Sequence, residues 1–365
     1  MTRIGIFGGA FNPPHIGHLA AARFFQQAIP LDDLIIVPTY QSPLKERAAC
    51  VPDQARLELC RLTFPFPVSD LELARGGTSY TIDTLRQIRA QYPRAELYLL
   101  IGTDQLAQFT SWRAWQDILR LCTVCALQRD AAPLHTALPV KLLSGFTPIE
   151  VSSTQLRGAL ARGEDVSQWL TPAAYAYIKK KLLYEQPPLP PDRLHHSRCV
   201  AESAEALALQ YGANPEKARV AGLWHDCAKY FSFEKKARLA AAYGKPFTDD
   251  EYRCPQICHA FAGEAWLALE KGVTDEEILS AVRWHTTGHP GMTLPEEIVF
   301  VADLISADRD YPDVETVRAL AASNLHAASK YILAYIIDKC TRQGRPIHPA
   351  TLAWYEELGG TYAAT

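Results

Sequence analysis

The sequence predicts an α/β unit with a parallel sheet followed by an all-α unit, and three observations support this. Short apolar runs alternate with helical stretches as far as residue 184, a pattern typical of parallel strands covered by helices on both faces. Four prolines then fall within residues 186–191, where a stiff extended linker is expected because proline cannot continue a helix or a central strand. Beyond them the pattern is helical. The predicted domains are 1–185 and 193–360, joined by a linker at 186–192.

Length and composition agree with two packed units. A chain of 365 residues exceeds what one hydrophobic core usually supports, and 48% hydrophobic residues suffice for packed cores. A formal net charge of −3 disfavours a protein that coats nucleic acid. The N-terminus lacks the apolar segment of a signal peptide, and no run of about 18 apolar residues could span a membrane. We expect a cytoplasmic protein without nucleic-acid or membrane partners, and leave a homodimer open.

Local patterns predict the elements in order. Short apolar runs bounded by turn residues predict strands at 4–7, 34–37, 97–101 and 123–127. Amphipathic stretches predict helices near 17–28, 53–62, 81–92 and 112–121. In the second half, Asn214-Pro215 marks a helix start, and Thr274 opens an expected capping box. Cys122 and Cys125 form one C-x-x-C pair without a second, so we expect reduced core residues rather than a zinc site.

The first chemical signal follows the first predicted strand. Gly8-Gly9 permits close approach of a ligand to the backbone, and the helix that follows offers unpaired N–H groups to a phosphate. His15 and His18 lie three residues apart around Gly17, which brings two imidazoles to one side of the first helical turn. Such a pair beside a phosphate site suits phosphoryl-type transfer, which needs charge stabilisation and alignment rather than a covalent nucleophile.

The segment His15–His18 resembles the H-x-G-H motif of the nucleotidylyltransferase superfamily, and residues 1–184 resemble its bacterial nicotinate-nucleotide adenylyltransferases. The resemblance is carried in order by Ser42-Pro43-Leu44-Lys45, 77–85, Gly102-Thr103-Asp104, Trp112 and 152–157. It implies a Rossmann-like domain that transfers adenylate from ATP to nicotinate mononucleotide and releases pyrophosphate, with Mg²⁺ bound mainly by the phosphates. Leu44 departs from the family, in which histidine is common at that position.

The same resemblance implies roles for individual residues. His18, Lys45 and Arg157 would meet the charge that grows at the α-phosphate. His15 would orient the triphosphate. The residues expected to bind ATP or its phosphates are Gly8, Gly9, Phe11, Asp104, Ser152, Ser153 and Thr154. Those expected to bind the nicotinate nucleotide are Tyr80, Thr81 and Trp112. The preference for nicotinate over nicotinamide is left open.

A second chemical signal is a series of histidines and aspartates in the helical half. Its members are His196, His225, Asp226, His259, His285 and Asp303. Their spacing places them on different helices, so they form one site only if all of them point inward. Imidazole together with carboxylate suits iron, manganese, zinc or similar ions rather than calcium. Because Asp226 adjoins His225, its carboxylate could bridge two metals while the imidazole ligates one.

This order, together with the segments 222–229, 283–288 and 290–293, resembles the HD phosphohydrolase superfamily, and most closely its symmetrical diadenosine tetraphosphate hydrolases. The resemblance implies a dinuclear centre that hydrolyses diadenosine tetraphosphate to two ADP. Iron is the first choice of metal, with manganese or another ion as alternatives. Asp226 would be catalytic as well as a ligand, and Lys229 would contact a substrate phosphate. His289 stands where the family usually has arginine, so it is expected either to contact substrate or to add a ligand.

The sequence therefore predicts a bifunctional enzyme, with three alternatives. The helical half could be a regulatory or dimerising module, or it could hydrolyse another nucleotide, such as a monophosphate or an alarmone. A nucleic-acid-binding protein is the third, and the lack of a basic stripe with interleaved aromatic residues counts against it. His195 is expected at the surface or behind a ligand, and His326 and His348 are expected to be structural.

Overall fold

The computed structural model describes residues 2–43, 51–127 and 136–362, and the chain divides into two compact units, Met1–Glu185 and Gln186–Thr365. The first unit surrounds a parallel sheet and the second is helical. The predicted fold class is therefore confirmed. No helix in the described ranges has the length and apolar character needed to cross a membrane.

The first unit is built on a parallel sheet. Its described strands are β1 (Arg3–Gly9), β2 (Asp33–Pro38), β3 (Glu96–Gly102), β4 (Thr123–Leu127) and β5 (Lys141–Leu143). They lie in the order β2-β1-β3-β4-β5, and Ile6 of β1 pairs with Ile35 on one side and Leu99 on the other. Because the strands are parallel, their carboxyl ends meet at one edge, which is where ligands bind in open α/β sheets.

Helices cover the sheet of the first unit. Those described are α1 (Ile16–Ala28), α2 (Asp53–Thr63), α3 (Leu71–Arg75), α4 (Thr81–Gln91), α5 (Thr103–Leu106), α6 (Trp115–Leu121), α7 (Ser153–Ala161) and α8 (Pro172–Lys180), with 3₁₀ turns at Phe109–Ser111 and Ser167–Trp169. One hydrophobic cluster joins Ile6 and Leu99 to Ile88 of α4. Another joins Leu100 to Phe25 of α1. Both faces of the strands are therefore buried, which explains why the runs are apolar throughout.

The second unit consists of helices in its described part. They are α9 (Pro191–Tyr211), α10 (Pro215–Trp224), α11 (Phe233–Ala242), α12 (Asp249–Arg253), α13 (Cys258–Lys271), α14 (Glu276–Trp284), α15 (Leu294–Ile305), α16 (Val314–Ala321), α17 (Leu325–Arg342) and α18 (Pro349–Glu357). Their core joins Val200 of α9, Phe300 of α15, Leu333 of α17 and Trp354 of α18. Asn214 caps α10 as expected, since its side chain accepts the Lys217 N–H.

Several predicted boundaries were wrong. Trp112 lies outside α6 because Ala114, with φ of 52°, interrupts the helical conformation before Trp115. Gly8 and Gly9 belong to β1 rather than to the loop after it. β5 was not predicted because it has only three residues.

Two boundaries of the second unit also differ from the prediction. The N-cap of α14 is Asp275 rather than Thr274, since the Asp275 carboxylate accepts the Glu277 N–H at 3.2 Å. Helix α9 already begins at Pro191, inside the predicted linker, because the fixed φ of proline suits the first position of a helix. The cysteines behave as expected: Cys122 and Cys125 are buried free thiols, and the Cys122 thiol donates to the Ile118 carbonyl.

Candidate active sites

A cavity of about 480 Å³ opens at the carboxyl ends of β1 and β3. Its wall is formed by the end of β1 and the loop to α1, the residues after β2, the start of α5 and the N-terminus of α7. A volume of this size is ordinary for a small-molecule site. The cavity brings together most of the predicted residues of this half, namely Gly8, Gly9, Phe11, His15, His18, Asp104, Ser152, Ser153, Thr154 and Arg157.

The two histidines stack on each other at the start of α1. His15 is the N-cap and His18 the third helical residue, and their ring centroids lie 3.7 Å apart. The His15 backbone N–H donates to Nδ1 of His18 at 3.3 Å. Because Nδ1 accepts this bond, the proton of the neutral His18 ring is on Nε2. The helix terminus therefore fixes both the orientation and the tautomer of His18.

Gly17 is required by the position of His15. A Cβ atom added at Gly17 would lie 3.0 Å from Nδ1 of His15 and 3.3 Å from a methyl group of Val151. The imidazole of His15 is 95% buried and has little room to move away. The glycine of the H-x-G-H element thus makes space for the first histidine.

The start of α7 holds the loop that precedes His15. Ser153 donates its hydroxyl to the Pro13 carbonyl at 2.8 Å, and Arg157 donates to the Asn12 carbonyl at 2.7 Å. The side chain of Asn12 accepts the hydroxyl of Tyr184 at 2.7 Å. These contacts link residues 140 to 172 positions apart in sequence, so the loop conformation depends on the whole unit.

Arg56 is a site residue that the sequence analysis missed. Its guanidinium is buried and donates to the carbonyls of Ala10 and Thr39, each at 2.7 Å, and to Asp53, also at 2.7 Å. Ala10 and Thr39 follow β1 and β2 and both line the cavity. Arg56 therefore fastens two walls of the cavity together. Only its place on the buried face of α2 could have indicated this role.

The cavity does not include the predicted nicotinate-binding residues Tyr80, Thr81 and Trp112. The Tyr80 ring lies under the Arg113 guanidinium at 4.7 Å, and Trp112 packs on Phe109. The segment is nevertheless adjacent, because Ser79 donates its N–H to the Gln41 carbonyl at 2.8 Å in the cavity wall. Lys45 lies outside the described residues.

The second unit gathers all six predicted metal ligands into one buried centre. Nε2 of His196 lies 3.0 Å from Asp303 Oδ1, and Nε2 of His259 lies 2.9 Å from Asp226 Oδ1. His225 Nε2 lies 3.5 Å from Asp226 and 3.9 Å from Asp303, which places it between the two carboxylates. Two overlapping triads result, in which all donor atoms lie within 4.8 Å of one another: His196, His225 and Asp303, and His225, Asp226 and His285.

Helix ends position these ligands. Helix α10 stops at Trp224, so His225 and Asp226 lie in the turn that follows and both reach the centre. His225, His259 and His285 each hydrogen-bond through Nδ1 to the backbone carbonyl three residues earlier, at 2.7–2.9 Å. A carbonyl can only accept, so Nδ1 carries the proton and Nε2 presents its lone pair to the centre.

Asp308 holds Nδ1 of His196 by a hydrogen bond, as backbone carbonyls hold Nδ1 of the other three histidines. Its carboxylate lies 2.8 Å from Nδ1 of His196 and also accepts the Ser306 hydroxyl at 2.8 Å. Arg309 next to it donates through Nε to the Asp303 carbonyl at 2.6 Å. The sequence pattern does not single out Asp308, because this residue lies after the end of α15 and has no helical spacing to His196.

The protonation states of His259, His285, Asp226 and Asp303 suit a cation. Burial lowers the pKa of His225, but the adjacent Asp226 and Asp303 outweigh burial and raise it. Burial lowers the pKa of His259 to about 4 and also lowers the pKa of His285, so both rings are neutral near pH 7. Burial alone would raise the pKa of Asp226 and of Asp303. The adjacent histidines, and Arg309 beside Asp303, outweigh burial and hold both pKa values well below the usual range.

The donor set fits a bound divalent metal. Nε2 of His225 is buried and makes no hydrogen bond among the described residues, although it lies between two carboxylates. An unpaired buried nitrogen is costly unless a ligand satisfies it. Neutral imidazoles combined with ionised carboxylates are the ligands of iron, manganese or zinc.

The remaining histidines lie outside this set of ligands. His289 stacks near Trp284 and its Nε2 lies 3.3 Å from Glu296 of the α15 capping box, so it does not join either triad. His195 is exposed and lies against Cys199. His326 pairs with Glu297, and His348 lies 3.4 Å from Glu251.

The fold and the two sites thus define a nucleotide-binding α/β unit joined to a helical unit with a metal centre. Residues 6–159 match the cytidylyltransferase-like family, and residues 193–308 match the HD domain family. A probable nicotinate-nucleotide adenylyltransferase of Shouchella clausii is 36% identical over 188 residues, which are 50% of this chain and 97% of that protein. The chain belongs to the nicotinate-nucleotide adenylyltransferase family through its first unit and carries an HD domain in its second.

Two further similarities concern the second unit. A Mycoplasma pneumoniae protein named as a probable nicotinate-nucleotide adenylyltransferase/Ap4A hydrolase is 27% identical over 91% of this chain and 98% of its own. The structure of an HD superfamily hydrolase from Clostridium acetobutylicum covers 50% of this chain and 96% of its own, at 33% identity and a TM-score of 0.47. The match to the Mycoplasma pneumoniae protein therefore extends over both units of this chain.

Proposed function

We propose that the first unit transfers adenylate from ATP to nicotinate mononucleotide and releases pyrophosphate. The observation that carries the proposal is the cavity in which His15, His18 and Arg157 line one space with the N-terminus of α7. A helix N-terminus beginning Ser152-Ser153-Thr154 offers backbone N–H groups and positive partial charge to a phosphate. Mg²⁺ would enter the cavity bound to the phosphates of ATP.

The proposed reaction needs alignment and charge stabilisation. The phosphate oxygen of the mononucleotide forms a bond to the α-phosphorus of ATP, and the bond from that phosphorus to the bridging oxygen breaks. Nε2–H of His18 would donate to a phosphate oxygen as charge grows there, and Lys45 and Arg157 would add positive charge. His15 would orient the triphosphate. Tyr80, Thr81 and Trp112 would contact the nicotinate nucleotide from the adjoining segment.

His18→Ala tests this proposal. Loss of one preorganised donor typically lowers the rate about 10²–10³-fold, so adenylyl transfer should fall by that factor while the unit stays folded. The assay measures pyrophosphate release with ATP and either nicotinate or nicotinamide mononucleotide. Tyr92→Ala, which removes an exposed ring on the same unit, is the control and should retain activity. Full turnover by the His18 variant would contradict the proposal.

We propose in addition that the second unit hydrolyses diadenosine tetraphosphate to two ADP. The two overlapping triads support this, since they offer ligands for a pair of ions. His196, His225 and Asp303 would hold one ion, and Asp226, His259 and His285 a second, with iron as first choice. A bound metal pair supplies a hydroxide at neutral pH and polarises the phosphate under attack.

The chain's own residues prepare this chemistry. The carbonyls behind His225, His259 and His285 keep each Nε2 aimed at the centre, and Asp308 does so for His196. Lys229 donates to Asp226 Oδ1 at 3.2 Å and would also contact a substrate phosphate. Three candidate roles for the unit remain: hydrolysis of this dinucleotide, hydrolysis of another nucleotide, and a regulatory or dimerising role without hydrolysis.

The decisive experiment assays purified full chain, reconstituted with iron or manganese under reducing conditions, on a panel of nucleotides. Diadenosine tetraphosphate should yield ADP alone, and adenosine monophosphate and guanosine tetraphosphate should be poor substrates. Asp226→Asn should abolish hydrolysis and lower metal content measured by elemental analysis. Metal-loaded protein that hydrolyses none of these compounds would favour the regulatory role.

A further inference from the structure

A cation lies against each oxygen of the Asp226 carboxylate at the metal centre. Lys229 Nζ is 3.2 Å from Oδ1, and Arg193 Nη1 is 3.7 Å from Oδ2. Lys229 comes from the turn after α10, whereas Arg193 lies in the first turn of α9, three residues before His196 and so on the same face of that helix. Lys229 is predicted from the sequence to contact a substrate phosphate, whereas no motif in the sequence points to Arg193.

These two cations are exposed where the carboxylate is not. The Arg193 and Lys229 side chains are 32% and 37% exposed, and Asp226 is 2% exposed. The carboxylate is therefore the floor of the site, and the two cations form its solvent-facing rim. When Asp226 binds a metal ion, its charge is shared with that ion, and two cations nearby repel the metal unless an anion enters.

We propose that Arg193 and Lys229 together bind the phosphate next to the one under attack, and so select substrates with linked phosphates over simple monoesters. This inference rests on the proposed hydrolase function. A planar guanidinium pairs with two phosphate oxygens at once, and an ammonium acts as a point charge beside it. Two divalent metal ions, two carboxylates and these two cations have a net charge of about +4. This charge matches the four negative charges of the ionised phosphates in a dinucleoside tetraphosphate.

The test compares Arg193→Gln with Arg198→Gln in the full metal-loaded chain. Arg198 lies on the same helix, is exposed, and its loss changes net charge equally, so it is a matched control. Calorimetry should show inorganic tripolyphosphate bound about 10–100-fold more weakly by the Arg193 variant and unchanged by the control. Binding of adenosine monophosphate, a simple monoester, should change less than threefold in the same calorimetric titration. Arg193→Lys should recover part of the loss.

Three outcomes would overturn the inference. Equal tripolyphosphate binding by the two glutamine variants would show that Arg193 does not touch phosphate. Equal losses for tripolyphosphate and for the monoester would show no selection for linked phosphates. A drop in metal content of the Arg193 variant would show that the residue supports the ligands instead. Because tripolyphosphate binding needs no dinucleotide turnover, failure of the proposed substrate and failure of this inference are distinguishable.

Discussion

Single residues determine how accurately the first cavity is shaped, and Gly17 shows this most directly. A methyl group there would meet the buried imidazole of His15 at 3.0 Å, and His15 stacks on His18. A side chain in a packed interior cannot yield without displacing its neighbours. The spacing of the two histidines was evident in the sequence. The reason for the glycine between them was not, because it depends on Val151, which is distant in the chain.

We predict that Gly17→Ala lowers kcat for adenylyl transfer about 10²-fold with little change in folding. The added methyl group displaces His15 and with it the stacked His18, and a displacement near 1 Å of a reacting group has about this effect. Steady-state kinetics at saturating ATP measure it. Gly158→Ala in α7, where the nearest obstacle is the flexible end of Arg162, is the control and should keep its kcat. Equal kcat in both variants would contradict the steric argument.

Arg56→Ala should destabilise the first unit by about 3–5 kcal/mol, because it leaves the Ala10 and Thr39 carbonyls and the Asp53 carboxylate without their buried donor. Arg61→Ala on the same helix removes only an exposed pair with Glu58 and should cost less than 1 kcal/mol. Urea unfolding measures both. Similar losses in the two variants would mean that the buried hydrogen bonds of Arg56 contribute little.

Buried thiols should make the first unit less stable in alkali. Burial raises the pKa of the Cys60 thiol from its usual 9.0 to about 12. Above pH 9 the unfolded chain loses this proton while the folded chain keeps it, so stability falls as pH rises from 9 towards 12. Between pH 8 and pH 10 the Cys60 contribution to the loss is about 1.4 kcal/mol. Cys60→Ala should reduce the pH-dependent loss by that amount in urea unfolding, and an unchanged slope would contradict it.

At the scale of elements, strands and helix starts could be predicted from the sequence. The convergence of side chains from different elements on one site could not. The strands at 34–37 and 97–101 have both faces buried, so they are continuous apolar runs. Such runs can be recognised in the sequence. His225 and Asp226 can both reach the predicted metal centre because α10 ends at Trp224. No periodicity in the sequence reveals this helix end. Arg56 and Asp308 were missed for the same reason: their partners are brought close only by tertiary packing.

Close packing of α9 against α10 depends on Gly222. A Cβ atom there would lie 3.0 Å from the Ala201 Cα atom, and backbone cannot yield as a side chain does. Gly222→Ala should therefore separate the two helices and destabilise the second unit by about 1–3 kcal/mol, even though alanine favours helix. It should also lower metal content, because α9 carries His196 and the Gly222 carbonyl holds His225. Calorimetric unfolding and elemental analysis measure these effects, and unaltered stability would contradict the packing argument.

At the scale of the whole molecule, each unit contains its own core. The four hydrophobic clusters of the chain each lie within one unit, three in the first and one in the second, among the residues that the structure describes. In the first unit, Tyr184 donates its hydroxyl to the side chain of Asn12, which lines the cavity. The six predicted metal ligands all lie in the stretch of chain from α9 to α15. A unit that contains its own hydrophobic core can in principle fold alone.

We therefore predict that residues 1–185 and 186–365, expressed separately, both fold, and that each retains the activity proposed for it. The cut lies after Glu185, which pairs with Lys179, and before Pro191, which begins α9. A second fragment that starts at residue 195 lacks the first turn of α9 and Arg193, so it should unfold at lower temperature and bind tripolyphosphate more weakly. Circular dichroism, adenylyl transfer and metal-dependent hydrolysis measure the outcome. A fragment 186–365 that is unfolded, or folded but without metal, would contradict independent folding.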